Sequence, residues 1–447
     1  MVDYQNLEIS NYIFRITGVF QYKKRLVQTA KNHGFAELSE EGVTDKSPYL
    51  MAGFSGFEQQ LNKYTFYPEI RKLIFSNDPG ENHRVMVKTM PLKIITVSDV
   101  ALYPGAPVKS CTFTVREIRL DLFDDNMGLF TLDIQLSTDF VSLQSISDAS
   151  FLLNQFGARE AEKDMPWNKY IEAHLLGTVS DVSLIDQPAD YSGSKYKTYL
   201  IAEFKESENN IPVNALLFDL ATFSRPGSTQ SDTQNSMSKE YINRMMQHST
   251  LKVYNNWQAI CLLDSFMAAG QSVLNTEGKF ATFSKTYFHI YIYALVVKYK
   301  LFKFNYDVAE LDTDKRDHFQ DFMTKYFFGH ISYKFLPSEL YKIMRNGLEL
   351  DHEVKIMRER IDSIGKAIQE TEQKRTNLIL GIVSFITGLS SIKPVVEYLH
   401  WGKDKMLLSE NTYWVVVGLI GLAAGSFLIW FVFETKIRRF YRLLTGN

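Results

Sequence analysis

The chain has 447 residues, 45% hydrophobic and 22% charged, with 24 Gly and 12 Pro; this is enough apolar surface to offset chain entropy and excludes a disordered, collagen-like or low-complexity protein. Forty-nine Lys and Arg against 51 Asp and Glu leave a formal charge of −2, which argues against a basic nucleic-acid scaffold, so no direct nucleic-acid binding is expected. Two cysteines, Cys111 and Cys261, exclude a disulfide framework, and the length predicts about three structural units.

In chain order, the opening MVDYQNLEISNYIFRITGVF carries Asp3 and Glu8 without a leading basic cluster, so it does not read as a secretory signal. Residues 88–98 and 111–123 are rich in β-branched side chains, and 111–123 meets 128–137 across DDNMG, which predicts a hairpin. In its second arm Phe130, Leu132, Ile134 and Leu136 point one way and Thr131, Asp133 and Gln135 the other. Residues 196–204 and 213–220 read as further strands, and 224–238 (SRPGSTQSDTQNSMS) as a mobile loop and a possible sub-boundary. Helices are expected at 239–246, 256–274, 283–304 and 317–328. Residues 1–337 thus form an α+β domain.

Beyond Pro337 the pattern changes. Ser338 is placed to cap a helix, and an apolar stripe at 3–4 spacing runs from Leu340 through Val354, Met357 and Ile368 to Ile392. One continuous helix of about 53 residues, roughly 80 Å long, is the economical reading. It forms a stalk over 338–375 that bundles with copies of itself, or else folds against its own domain. Residues 376–392 (17) and 411–433 (23) are free of charge, roughly 25 and 35 Å as helix against about 30 Å of hydrocarbon. They are expected to be a transmembrane hairpin with an outer loop at 393–410 and a basic tail at 434–447. Lys374 and Arg375 on one side, and Lys436, Arg438, Arg439 and Arg442 on the other, place both termini in the cytoplasm of a multi-pass protein of the bacterial inner membrane, with the lipid bilayer as partner. Within the first span Asn377, Gly381, Ser384, Gly388 and Ser391 make a small, polar stripe, either a close-packing surface or the lining of a water-filled pore. Continued downward it reaches Lys374 and Glu370, expected as gate rings.

Catalytic signals are absent: there is no HEXXH, no zinc spacing of Cys and His, no Walker or dinucleotide glycine loop. Asp124 and Asp125 read as turn formers. No enzyme is expected and no catalytic residue or metal ligand is assigned. For a ligand, cations on strands are the candidates: Arg116 and Arg119 before the DDNMG turn, and Lys195 and Lys197 flanking Tyr196.

This layout resembles the CorA family, pentameric divalent-cation channels with a funnel-shaped oligomer whose first span lines the pore. The resemblance covers the last ~165 residues in layout and the rest loosely. The family's Gly-Met-Asn signature is missing, since 388–402 reads GLSSIKPVVEYLHWG, so its hydrated-magnesium site does not carry over. The aromatic N-terminal region (VREIRLDLFDDNMGLFTL) is similar to the CorA-like membrane effectors of type III CRISPR systems. That resemblance implies a homopentameric, ligand-gated ion channel acting in antiviral defence. It would be switched by a nucleotide second messenger such as a conjugate of S-adenosylmethionine and AMP, with Mg2+ as a further candidate ligand. A constitutive CorA-type divalent metal transporter and a membrane-anchored sensor that conducts nothing are the alternatives.

Overall fold

Long runs of alternating apolar side chains give this protein its dominant element, one mixed β-sheet. The computed structural model describes residues 6–22, 26–37, 65–75, 83–98, 110–123, 126–138, 140–154, 182–184, 196–205, 212–230, 237–263, 265–307 and 313–404, with 409, 411–412, 414–419 and 421. The chain divides into two units, Met1–Ile361 and Asp362–Asn447.

The first unit begins with β1 (Ile9–Tyr22), α1 (Leu26–Asn32), β2 (Ala36–Glu37), α2 (Pro68–Phe75), β3 (His83–Thr89), β4 (Ile95–Ser98), β5 (Ser110–Phe123) and β6 (Met127–Leu136). Next come α3 (Leu143–Asn154), β7 (Val182–Leu184), β8 (Tyr196–Phe204), α4 (Val213–Ala221), α5 (Lys239–Ser249), β9 (Thr250–Leu251), β10 (Trp257–Leu262) and β11 (Ser265–Gly270). The helical remainder is α6 (Glu277–Ala281), a π-helical turn (Thr282–Tyr287), α7 (Phe288–Asp307), α8 (Thr313–Tyr326), α9 (Phe335–Gly347) and the start of α10 (Leu350–Asp404). Among the described residues eleven strands share one sheet, nine of them in the order β2-β3-β5-β6-β1-β8-β11-β10-β9, with β4 paired to β5 and β7 to β1. Pairing is antiparallel except between β8 and β11.

One face of the sheet is apolar. Phe14, Ile16 and Phe20 of β1, Leu132 and Ile134 of β6, and Leu200 of β8 pack there against Ile146 and Leu153 of α3 and Leu216 and Leu217 of α4. Each such side chain contributes roughly 1.5–3 kcal/mol by burial. Two glycines make the β1–β6 contact possible: a Cβ on Gly18 would meet the Phe130 ring at 2.3 Å, and one on Gly128 the Phe20 ring at 2.3 Å. Since Gly18 pairs with Phe130 and Phe20 with Gly128, each ring lies over the glycine opposite.

The hairpin over β5 and β6 and the strand over 196–204 form as expected, but four sequence expectations are corrected. Residues 213–220 are helical, not a strand: Pro212 opens the helix, and Leu216, Leu217 and Leu220 fall on one buried helical face. Residues 256–274 contain two strands, not a helix, because β10 and β11 are buried on both faces and show no alternation to read. The loop from 224 is organised as far as 230: Asp219 accepts from the Gly227 and Thr229 amides at 2.8 and 3.0 Å and from the Ser228 hydroxyl at 2.6 Å. Finally, the continuous stalk helix is interrupted. α9 starts at Phe335, so Ser338 does not cap it; the chain then turns at Leu348 and Glu349, the latter at φ 57°, before α10 begins. Leu350, Val354 and Met357 are buried in the first unit.

The larger correction concerns the C-terminal part. Among the described residues no helix is long and apolar enough to cross a membrane. The expected first span, 376–392, is a stretch of the 55-residue α10; its 17 uncharged residues make roughly 25 Å against about 30 Å of hydrocarbon. Most of the expected second span, 411–433, lies outside the described residues, as does the tail at 434–447. The transmembrane hairpin, the CorA-like funnel built on it, the membrane-channel description and the multi-pass inner-membrane placement are withdrawn accordingly. Within the second unit itself, Leu378, Ile379, Leu380, Ile382, Val383 and Ile386 of α10 are exposed.

Candidate functional site

Alternation along the central strands sends charged and hydroxyl-bearing side chains to the face opposite the apolar core. In β5 a bulge brings them there. Phe113 and Val115 join the core, and beyond a register shift between Val115 and Glu117 so do Ile118, Leu120 and Leu122. The extra residue, Arg116, therefore turns Glu117, Arg119 and Asp121 to the other face, as bulges do when they re-aim a strand. Register then aligns Glu117 with Asp133 of β6, Asp133 with Arg15 of β1, and Arg15 with Tyr199 of β8. One row along, Arg119 stands opposite Thr131, Thr131 opposite Thr17, and Thr17 opposite Lys197.

Arg15, Glu117, Arg119, Asp121, Asp133 and Lys197 are all buried. Arg119 donates through Nε and Nη2 to both oxygens of Asp121, at 2.8 and 2.7 Å, the bidentate geometry that makes such pairs strong. Asp133 lies 3.6 Å from Arg15 and 3.0 Å from Arg116. The Arg116 side chain is 21% exposed, so the cluster meets water there. The Thr17 and Thr131 hydroxyls share a hydrogen bond of 3.1 Å.

The π-helical turn and α7 cover this face. Tyr199 donates to the Phe283 carbonyl at 2.6 Å, Arg15 donates to the Ser284 carbonyl, and Arg119 reaches His289 with Nη1 at 2.8 Å. A π turn shifts the helical hydrogen bonds by one residue and recurs at functional positions; here two of its carbonyls accept from sheet side chains. The Phe288 ring lies under both guanidinium groups, 4.5 Å from Arg15 and 5.8 Å from Arg119, and 5.1 Å from the Tyr199 ring. Lys285, Lys298 and Lys300 of the covering segment are also buried.

Electrostatics follow burial. Desolvation pulls Arg15 below its ordinary value, with Asp133 foremost in opposing it. It pushes the Tyr199 hydroxyl well above the usual range, against Arg15, so that hydroxyl remains a donor. Burial raises the Cys261 thiol to about 12, while Lys298 and Lys197 pull the other way; both lysines are thus within electrostatic reach of β10. Burying ions costs several kcal/mol each unless geometry compensates, and a charged cluster inside a sheet domain is for that reason a candidate site.

Of the cations expected to hold a ligand, Arg116, Arg119 and Lys197 come together on this face; Lys195 lies outside the described residues. Asn377, Ser384 and Gly388 are exposed on α10, Gly381 is half-buried, and Ser391 lies on the same helix. Glu370 and Lys374 approach each other at 4.0 Å along that helix. Sequence reasoning missed Arg15, Glu117, Asp121, Asp133 as a ligand-site member, His289 and Lys298. A signal existed: Glu117, Arg119 and Asp121 at spacing of two interrupt an apolar strand, and Lys298 and Lys300 interrupt an apolar helix. Among the described residues no group of three or more His, Cys, Asp or Glu side chains is arranged to hold a metal ion.

The first unit is a mixed-sheet protein with one apolar face and one buried charged face. No family model, curated protein or solved structure matches the chain.

Proposed function

We propose that the first unit is a sensor that binds a small phosphate-bearing nucleotide at the charged face of the sheet. The observation that carries this reading is the gathering of guanidinium and ammonium groups on one sheet face beside the Phe288 and Tyr199 rings. Arg15, Arg116, Arg119 and Lys197 stand on the sheet face with Glu117, Asp121 and Asp133, and Lys285, Lys298 and Lys300 lie in the covering segment. Phosphate oxygens would accept charge-assisted hydrogen bonds from these cations, and the aromatic rings around Phe288 and Tyr199 suit a base. Arg116 marks the side from which a ligand enters.

Binding has a route to the rest of the unit. Cys261 lies near Lys197 and Lys298, and its carbonyl is so close to Gly347 of α9 that a Cβ there would meet it at 2.1 Å. A shift of β10 would therefore move α9, from which the chain passes into α10. A conjugate of S-adenosylmethionine and AMP is one candidate ligand. Ion conduction and divalent-cation transport form no part of this reading.

Isothermal titration of the full chain with ATP, AMP and that conjugate tests it. At least one should bind, and Lys197→Met and Arg116→Gln should each weaken binding about tenfold or more, or 1.4 kcal/mol, with circular dichroism unchanged. No binding by any of the three, or unchanged affinity in folded variants, would overturn it.

A further inference from the structure

The hydrogen bonds at His289 leave one way to place its proton. Arg119 Nη1, which can only donate, lies 2.8 Å from Nε2. The Lys285 carbonyl oxygen, which can only accept, lies 2.6 Å from Nδ1. Nε2 must therefore accept and Nδ1 must carry the hydrogen, so the ring is the neutral Nδ1–H tautomer. A second proton on Nε2 would set N–H against N–H and an imidazolium against a guanidinium.

We propose that His289 is a proton-operated latch. Neutral, it ties Arg119 of β5 to the start of α7 and, through the Lys285 carbonyl, to the turn that covers the sheet; protonated, it lets go. Among the described residues it bonds Arg119 and the Lys285 carbonyl, and the charged or titratable groups of the elements around it are Glu117 and Asp121 of β5, Asp133 of β6, Arg15 of β1, Lys197 and Tyr199 of β8, Lys285 and Tyr287 of the turn, and Lys298 and Lys300 of α7. Asp121, the carboxylate nearest along this chain of bonds, accepts with both oxygens from the Arg119 fork. Burial holds Tyr199 and Tyr287 above their ordinary range, so neither loses its proton near neutrality. The latch is thus the proton-sensitive link among the three that tie sheet to turn through Tyr199, Arg15 and Arg119.

The sign follows from which form bonds. The bond to Arg119 needs the neutral form of the ring. Burial and the facing guanidinium both disfavour the imidazolium, so the latch is shut at neutral pH and opens only as pH falls into the acid range. This inference concerns the protein without ligand and does not depend on the nucleotide reading.

Two measurements on the ligand-free full chain test it. With histidine selectively labelled with nitrogen-15, one of the nine histidines should show a protonated Nδ1 and an accepting Nε2 at about pH 7.5, and His289→Gln should remove that signal. Hydrogen exchange of amides 284–290, corrected for its intrinsic pH dependence, should be about tenfold faster at about pH 4 than at about pH 7.5. His289→Gln, whose amide oxygen accepts from Arg119 at any pH, should abolish that difference. A corrected exchange rate that does not change with pH, or a pH response that persists in His289→Gln, would overturn the latch. Should that variant not fold, the nitrogen signals of the unaltered protein decide: absence of any Nδ1–H histidine at neutral pH overturns it.

Discussion

Arg119 is the most heavily committed side chain of the charged face. Two of its nitrogens serve Asp121 and the third serves His289, all with the side chain fully buried. Removing one member of such a pair leaves a buried charge and costs about 3–5 kcal/mol, whereas replacing both by apolar groups of like volume is often close to neutral. Arg119→Met should therefore lower the unfolding free energy by about that amount, and Arg119→Met combined with Asp121→Leu should recover a large part of it. Urea denaturation of the single and double variants measures this. A double variant as unstable as the sum of its two single variants would show that the fork is not the unit of stability.

At the scale of elements, the contact between α9 and β10 has the least room. Gly347→Ala would bring a Cβ against the Cys261 carbonyl, and because the obstacle is backbone, α9 must move away. Overpacking of this kind costs about 1–3 kcal/mol, so it should lower the thermal midpoint, and because α9 is coupled to the charged face through β10 it should also shift nucleotide affinity, by less than Lys197→Met does. Unchanged affinity in the folded variant would show that α9 is not coupled to the charged face.

Elements were legible where one face is apolar and the other polar. Period two in β6 marks Met127–Leu136 almost to its ends, and the same holds for Tyr196–Phe204. β10 and β11 hide because burial on both sides removes alternation. The break before α10 hides because the apolar spacing continues past Glu349 while the backbone does not. For the site, Arg119 and Lys197 stand out as cations in strands, whereas Arg15 and Asp133, 118 positions apart in the chain, become neighbours only through register. The bulge at Arg116 is visible in hindsight as a slip of the apolar alternation between Val115 and Ile118.

For the molecule as a whole, the central claim is that the charged face of the sheet receives a nucleotide and that β10 and α9 report its arrival. The runs of uncharged residues at 376–392 and 411–433, with basic residues at their flanks, drew the sequence reading toward a membrane. The sheet, in contrast, is supported by register, burial and hydrogen bonds along its full width. Hydrogen exchange of the full chain with and without a saturating nucleotide tests the claim most directly. The account predicts slowed exchange in Ser110–Phe123, Tyr196–Phe204 and Thr282–Tyr287, with a smaller change in Phe335–Gly347. Unchanged exchange in all four, or protection confined to other segments, would contradict it.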